Sequence, residues 1–464
     1  MPFPLRRKFA VSFMTWLVAI SCHSLAEAPN AAHRSEPPLT LPKALRLANE
    51  RNLRLRRQRE EAVVSQGRIT EVRSAALPRV DIHAQYARLD DVMSIDLGAS
   101  AMTMGQKDNY EVAAEIRQLL YAGGSVSAAL RLAKEHDVRV VAQTEYAEDE
   151  LAFAVHAVFN RVLLLKEHLA VAKQAMRLAE KNCKDVSARL NQGLARRFDL
   201  LRANEQLSRS ESDHLGAENA HLKARLDLLN LLDLPLDDPR DVAGSLRYEF
   251  AVPPGAGGAE QAANNRSDVA SMRSIVAVQR EALRIAKSGN RPTLAIFGQL
   301  KYANPDRSFA DEWEDSWMVG IRAEMPIFDG LETHGKVAQA RAQLRQAELM
   351  LTDLLSKVHL ETAQAKADLA TATRLVGARE KNREQAKEAL HLAQRAYKEG
   401  LQEQIDVITA LLAFTNSQRN HAAALFQHTM AVRQLQRATG VLVPRSDQRP
   451  SSDKRQQSGL RRGE

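Results

Sequence analysis

Two pairs of histidines, His214/His221 and His421/His428, are each spaced by seven residues. On a helix that spacing is two turns along one face, so each pair could titrate near neutrality or bind a metal. The spacing lacks the i,i+4 pairing of a zinc-binding helix, and the alternative is an inherited packing feature. Asp199 and Asp406 each follow a glycine by six positions, where a carboxylate accepts N–H groups at a helix start. The two cysteines, Cys22 and Cys183, lie far apart in the chain. There is no Gly-rich phosphate loop, no HExxH and no Cys/His cluster, and the many Glu and Asp residues read as solvated helix faces. Neither an enzyme nor a resident cofactor or metal is expected.

The 464 residues carry 65 Lys+Arg against 57 Asp+Glu, a net charge of +8, with 44% apolar and 5% aromatic residues. That composition fits a folded chain rather than a disordered one. Arg6, Arg7 and Lys8 supply three of the excess charges, and the tail from Arg445 to Glu464 supplies three more. The body has no basic stripe of the kind a nucleic-acid partner needs. Beyond the N-terminus no apolar run approaches the roughly 20 residues of a membrane helix, which excludes a polytopic helical membrane protein.

Residues 1–26 read as an export signal. Arg6-Arg7-Lys8 precedes an apolar run from Phe9 to Ile20, too short to span a bilayer, and Ser24-Leu25-Ala26 supplies the small residues of a cleavage site. Ala19-Ile20-Ser21-Cys22 is similar to a lipoprotein signal, although Ala19 stands where a larger aliphatic residue is usual. Cys22 is therefore a candidate lipidation site. Cleavage on either side of it leaves no intramolecular disulfide available to Cys183.

The elements that must position these residues follow from proline and glycine spacing. No proline occurs between Pro78 and Pro235 or between Pro326 and Pro444, and no glycine between Ser125 and Gln192. Leu151, Val155, Val158, Val162, Leu165, Leu169, Ala172, Met176, Ala179, Cys183, Val186 and Leu190 alternate by four and three, the seam of a coiled coil. Cys183 is expected as an inert residue of that seam. A shift of 207 residues superposes the halves: Tyr121-Ala122-Gly123 on Phe328-Asp329-Gly330, Gly193-Leu194 on Gly400-Leu401, and Asp199 on Asp406. His214 and His221 fall on His421 and His428. The chain is an internal duplication. In the second copy Arg379 and Arg383 replace the apolar Ala172 and Met176.

Each half also carries a pair of alternating segments. Val80, Ile82, Ala84 and Tyr86 alternate with Asp81, His83 and Gln85, and Tyr110, Val112, Ala114 and Ile116 alternate with Glu111 and Glu115. In the second half Leu294, Ile296, Leu300 and Tyr302 are followed by Trp317, Val319, Ile321, Ala323 and Met325. Runs of about ten residues with period two suit tilted transmembrane strands; the alternative is a pair of half-buried hairpins on a soluble domain. Four strands cannot close a barrel, and open edges are not tolerated in lipid. Three chains would pool twelve.

Export, duplication, strand pairs and long hairpins together resemble the TolC-like outer membrane efflux protein family. Leu39-Thr40-Leu41-Pro42-Lys43-Ala44-Leu45-Arg46-Leu47-Ala48 is similar to its opening segment. Leu120-Tyr121-Ala122-Gly123-Gly124 and Pro326-Ile327-Phe328-Asp329-Gly330 are similar to its strand-to-helix joints. The spacing Gly-x5-Asp-x3-Ala at Gly193/Asp199/Ala203 and Gly400/Asp406/Ala410 is similar to its helical tips. The resemblance implies a mainly α fold with transmembrane β: a homotrimeric 12-stranded β-barrel continuous with a periplasmic α-helical tunnel. The first repeat is expected over 39–232, with a strand pair at about 79–121 and a hairpin at about 125–232. An equatorial segment at 233–264 leads to the second repeat over 265–440, with strands at about 293–326 and a hairpin at about 331–440. A basic tail, 441–464, follows.

The same resemblance implies a conduit from periplasm to exterior in an efflux or type I secretion system, opened at its periplasmic tip by an adaptor protein and an inner-membrane pump or ABC transporter. Gly193, Leu194, Gly400 and Leu401 are then the adaptor-docking tips. Asp406 matches an acidic ring at the gate, and Tyr397 and Asp199 match positions that latch the helices. Thr409 stands where a second acidic ring is expected, and Gln402 where an arginine would pair with Asp199, so the latch should lack its salt bridge. A periplasmic adaptor or a soluble coiled-coil scaffold remains the rival, but an adaptor has one hairpin and a scaffold has no duplicated strands.

Overall fold

The computed structural model describes residues 37–96, 101–248, 259–306 and 311–443. The export segment, Cys22 and nearly all of the basic tail lie outside them.

Helix α1 (Leu41–Arg51) starts with proline in its first turn and stops at Asn52. The Asn52 side chain accepts the Leu55 N–H at 3.2 Å and so starts α2 (Leu53–Ser74), a side-chain cap of ordinary kind. Strands β1 (Arg79–Arg88) and β4 (Asp108–Ala122) follow, with a small hairpin, β2 (Met93–Asp96) and β3 (Ala101–Met104), in the connection between them. Then come α3 (Ser125–Asn191) and α4 (Arg197–Leu231). The second repeat runs α5 (Ala259–Asn265), α6 (Ser267–Ala286), β5 (Thr293–Asn304), β6 (Glu314–Glu324), α7 (Glu332–Lys398) and α8 (Gln404–Ala438). Helix α5 thus begins inside the stretch expected to join the repeats. The break at Asn52 and the β2–β3 hairpin were not expected from the sequence.

Helices α3 and α7 each have 67 residues, about 100 Å at 1.5 Å per residue. The first part of α3 packs on α2 and α6: Glu148 pairs with Arg59 at 2.8 Å, and Arg131 pairs with the buried Glu281 at 2.9 Å. Its remainder packs on α4 and α8, where the helices lie in the order α4–α3–α8–α7. Of the twelve seam positions, Val155, Val162, Ala172, Ala179 and Val186 are buried and none is fully exposed. Cys183 is half-buried there, and its Sγ donates to Asn204 Oδ1 on α4 at 3.0 Å. The largest core joins Leu39 and α1 to Val155, Phe159 and Val162 of α3, Leu228 and Leu232 at the end of α4, and Val242 of the inter-repeat segment. A parallel bridge between Leu39 and Val242 ties that segment to the start of the fold.

The four long strands form one antiparallel sheet in the order β1-β4-β5-β6. Its register places Ile82, Ala114, Leu300 and Trp317 in one row, and Val80, Ile116, Gly298 and Val319 in the next. The opposite face carries Asp81, Glu115 and Gln299, then Gln85, Glu111 and Glu314. One face is therefore mainly apolar, with Gln118 and Asp315 in its outer rows, and the other mainly polar, with Phe297 and Met318 among its charged and amide residues, the alternation of a lipid-facing barrel wall. The apolar face is bare: Ile82 is 76% exposed and Trp317 72%. Tyr86, Tyr110, Tyr302 and Trp313 cluster at its far end with ring centroids 4.8–6.0 Å apart. Tyr121, Ile327 and Phe328 stand exposed at the helical end. Aromatic side chains at both margins are the pattern of a membrane interface.

At the joint from sheet to helix, Gly123 and Gly124 both have positive φ, and a Cβ on Gly123 would meet Arg291 Cβ at 2.7 Å. In the second repeat Leu331 takes the place of Gly124 and keeps the left-handed backbone at φ 69°, a conformation that costs a side chain roughly 1 kcal/mol.

Candidate functional site: the helical tips and the sheet

Both hairpins turn in the same way. Gly193 and Gly400 have φ 77°. The Leu194 N–H reaches Arg189 O at 2.8 Å and the Gly193 N–H reaches Leu190 O at 3.0 Å. Leu401 and Gly400 repeat this pair on Ala396 O and Tyr397 O. This double bond pattern closes a helix on a left-handed residue. It leaves Leu194 71% and Leu401 75% exposed at the extreme end of the molecule.

The two aspartates then start the return helices. Asp199 Oδ2 accepts the Arg196 N–H at 3.0 Å, and Asp406 Oδ2 accepts the Glu403 N–H at 3.3 Å. Asp406 is exposed and Asp199 half-buried. Gln402 is exposed and lines a shallow groove with Leu392, Arg395 and Glu399.

The tie between the tips comes from a residue that sequence reasoning missed. Arg189, near the end of α3, donates from Nη1 to Tyr397 O at 3.1 Å and from Nη2 to Lys398 O at 2.9 Å. Its guanidinium also sits 4.7 Å from the centre of the Tyr397 ring. A cation is thereby placed on the carbonyl end of α7, where the helix dipole favours it, and over an aromatic face. Burial pushes the Tyr397 hydroxyl above its ordinary pKa. Leu178, Asp185, Arg189, Tyr397 and Val407 line a cavity of about 320 Å³ beside this contact.

The four histidines do not converge. His214 and His221 lie on α4, while His421 and His428 lie on α8, on the other side of α3. Among the described residues no group of three or more His, Cys, Asp or Glu could hold a metal. Two of them seat the inter-repeat segment. His428 is 1% exposed with its ring 4.6 Å from that of Tyr248, and His221 lies beside Asp241, which pairs with Lys166 at 2.7 Å. Burial lowers the pKa of His221 and of His421. A fifth histidine, not singled out in the sequence, is more perturbed: His156 on α3 is lowered to about 4 by burial and by Arg433.

The family described as outer membrane efflux protein matches residues 44–233 and 258–441. The outer membrane protein TolC of Vibrio cholerae is 22% identical over 437 residues, covering 91% of this chain and 92% of TolC. The CmeC outer membrane channel of Campylobacter jejuni superposes with a TM-score of 0.80 at 16% identity, over 91% of this chain and 89% of CmeC. The MtrE outer membrane channel of Neisseria gonorrhoeae, in its open state, gives 0.76 at 18% identity over 87% and 89%.

Proposed function

The chain belongs to the outer membrane efflux protein family, and from that membership we propose that three copies form a conduit running from the periplasm through the outer membrane. The sheet carries this reading. Among the described residues it has one face whose two central rows are apolar across all four strands, with Gln118 and Asp315 only in the rows outside them, an aromatic margin at each end, and two unpaired edges, β1 and β6. Unpaired edges cannot face lipid, and joining β6 of one copy to β1 of the next satisfies both. Three copies give twelve strands, and the edge helices α4 and α7 of neighbouring copies then meet around a tunnel.

Within that assembly the tips are the regulated end. Leu194 and Leu401 offer apolar, exposed contacts for a periplasmic adaptor protein, which couples the conduit to an inner-membrane pump. Asp406, exposed beside the second turn, contributes one carboxylate per copy to an acidic constriction that attracts cations. Arg189 and Tyr397 hold the hairpins of each copy together, so loosening that contact is the step that opens the tip. Asp199 lies beside Tyr397, and Gln402, being uncharged, offers that aspartate no ion pair.

Native mass spectrometry of protein extracted in detergent from outer membranes, expressed with its own signal, tests the assembly. A species of three 51.5 kDa chains, less the export segment, is expected. The same spectrum reports whether Cys22 is lipidated. A monomer recovered from the soluble periplasmic fraction would overturn the reading.

A further inference from the structure

We propose that the lumen face of the sheet, at its helical end, is a transit site for anions with an aromatic body, built from Arg79, Arg117, Arg322 and Phe297. This rests on the channel reading, because that reading makes the polar face the lumen.

The register places Arg79, Arg117, Phe297 and Gly320 in a single row across all four strands. They stand on the face opposite Val80, Ile116 and Val319, hence away from lipid. Arg322 lies two residues beyond Gly320 on the same face, with its guanidinium 5.4 Å from the centre of the Phe297 ring. Gly320 is what lets the ring lie there: a Cβ at that position would sit 2.6 Å from Phe297 Cζ. An aromatic platform is thus laid across the strand with a cation over it.

Charge in this row is only partly compensated. Arg79 and Arg117 are directly opposed on neighbouring strands, and like charges so placed are destabilising. Asp81 pairs with Arg79 at 2.9 Å. Among the described residues Arg117 and Arg322 have no carboxylate partner. The carboxylates farther along the lumen are engaged elsewhere: Glu115 with Gln299 at 3.2 Å, and Glu111 with His83 at 3.3 Å. At the tunnel junction Arg79, Arg117 and Arg322 exceed the carboxylates on that face, Asp81 and Glu324, while toward the exterior Glu111 and Glu314 exceed Lys301. Repeated in three copies, the row becomes a ring of guanidinium forks and three aromatic platforms. Guanidinium binds sulfonate, carboxylate or phosphate oxygens in pairs, and the phenyl face takes a flat apolar body.

Current block of single channels in planar bilayers tests this, with 1,3,6-naphthalenetrisulfonate added from the extracellular side so that the tip is not in its path. The half-blocking concentration is expected to rise at least about tenfold in the R117Q/R322Q double variant, which is about 1.4 kcal/mol. Phe297→Leu should raise it about threefold, yet leave block by inorganic tripolyphosphate unchanged, since only the stacking partner is lost. Arg117→Lys in the R322Q background should restore part of the tripolyphosphate block. Equal block of the parent and the double variant, or none of the parent, would overturn the ring while the conductance itself upholds the channel. Absence of any conductance step from correctly assembled trimer would instead overturn the channel reading, and the ring with it.

Discussion

Helices α3 and α7 occupy the same place in the two repeats and have the same length, yet they are packed in opposite ways. Helix α3 lies inside the layer, touched by α2, α4, α6 and α8, while α7 lies at its edge. Phe159, 2% exposed in the largest core, corresponds to the exposed Lys366. His156, 7% exposed, corresponds to the exposed Ala363. Ala172 and Met176 correspond to Arg379 and Arg383. At the tips Arg189 corresponds to Ala396, and Tyr397 to Leu190, so one repeat supplies the guanidinium and the other the ring that receives it. Duplication set the backbone, and position within the layer then set the side chains. Leu349, Leu360 and Leu392 on α7 and Leu201, Leu215 and Leu222 on α4 are exposed; these are the edges that neighbouring copies would cover in the proposed trimer.

The contrast is most exposed to test at Phe159. Phe159→Ala should cost roughly 3–5 kcal/mol, as large-to-small core changes do, whereas Lys366→Ala should stay within about 0.5 kcal/mol. Thermal unfolding followed by helical circular dichroism measures both, and equal losses would erase the distinction between inner and edge helix.

Acid should act through α3 as well. The folded protein holds His156 neutral down to about pH 4, whereas the unfolded chain takes up the proton near pH 6.5. The unfolded state thus binds more protons between these values, so stability is full above about pH 6.5 and falls as pH drops toward 4. The loss is up to about 3 kcal/mol. His156→Gln should remove that share of the acid sensitivity, and an unchanged slope of melting temperature against pH would assign the effect elsewhere.

At the tips the question is which part of Tyr397 matters. Arg189→Ala removes two charge-assisted bonds and a ring contact, roughly 1–2 kcal/mol, and should raise the open probability of single channels about tenfold. Tyr397→Ala should follow it part of the way, because the backbone carbonyls remain. Tyr397→Phe should change little, since ring and carbonyls both persist. An opening by Tyr397→Phe as large as that by Arg189→Ala would mean that the hydroxyl is the latch.

The smallest effects separate the two aspartates. As matched caps, Asp199→Asn and Asp406→Asn should each cost about 0.5 kcal/mol. Only Asp406→Asn should weaken block by a trivalent cation such as hexaamminecobalt applied from the tip side. Identical changes in block would remove the special role of Asp406.

Much of this architecture was legible in the sequence because it is periodic. The four-three seam from Leu151 to Leu190 and the alternation around Ile82 and Val319 repeat often enough to define an interior before any partner is known. The histidine pairs were equally regular, but regularity within one helix does not say what faces it. Arg189 gave no local sign: its partners lie more than 200 residues away, and on a polar helix end it resembles any solvated arginine. Phe297 and Gly320 became meaningful only once the register set them opposite one another.

The strand order carries a consequence for biogenesis. Strands β1 and β4 are near neighbours in the chain, but β4 pairs with β5 across α3, α4, the inter-repeat segment, α5 and α6. While the polypeptide is still emerging into the periplasm, its first hairpin can form, yet its β4 edge must wait for the second repeat to arrive. During that wait a row of free backbone amides and carbonyls adjoins an apolar surface, the combination most prone to pairing with a wrong chain. Laying down β5 covers the β4 edge, but β1 and β6 stay open until neighbouring copies join, so the hazard of mispairing outlasts synthesis of the chain.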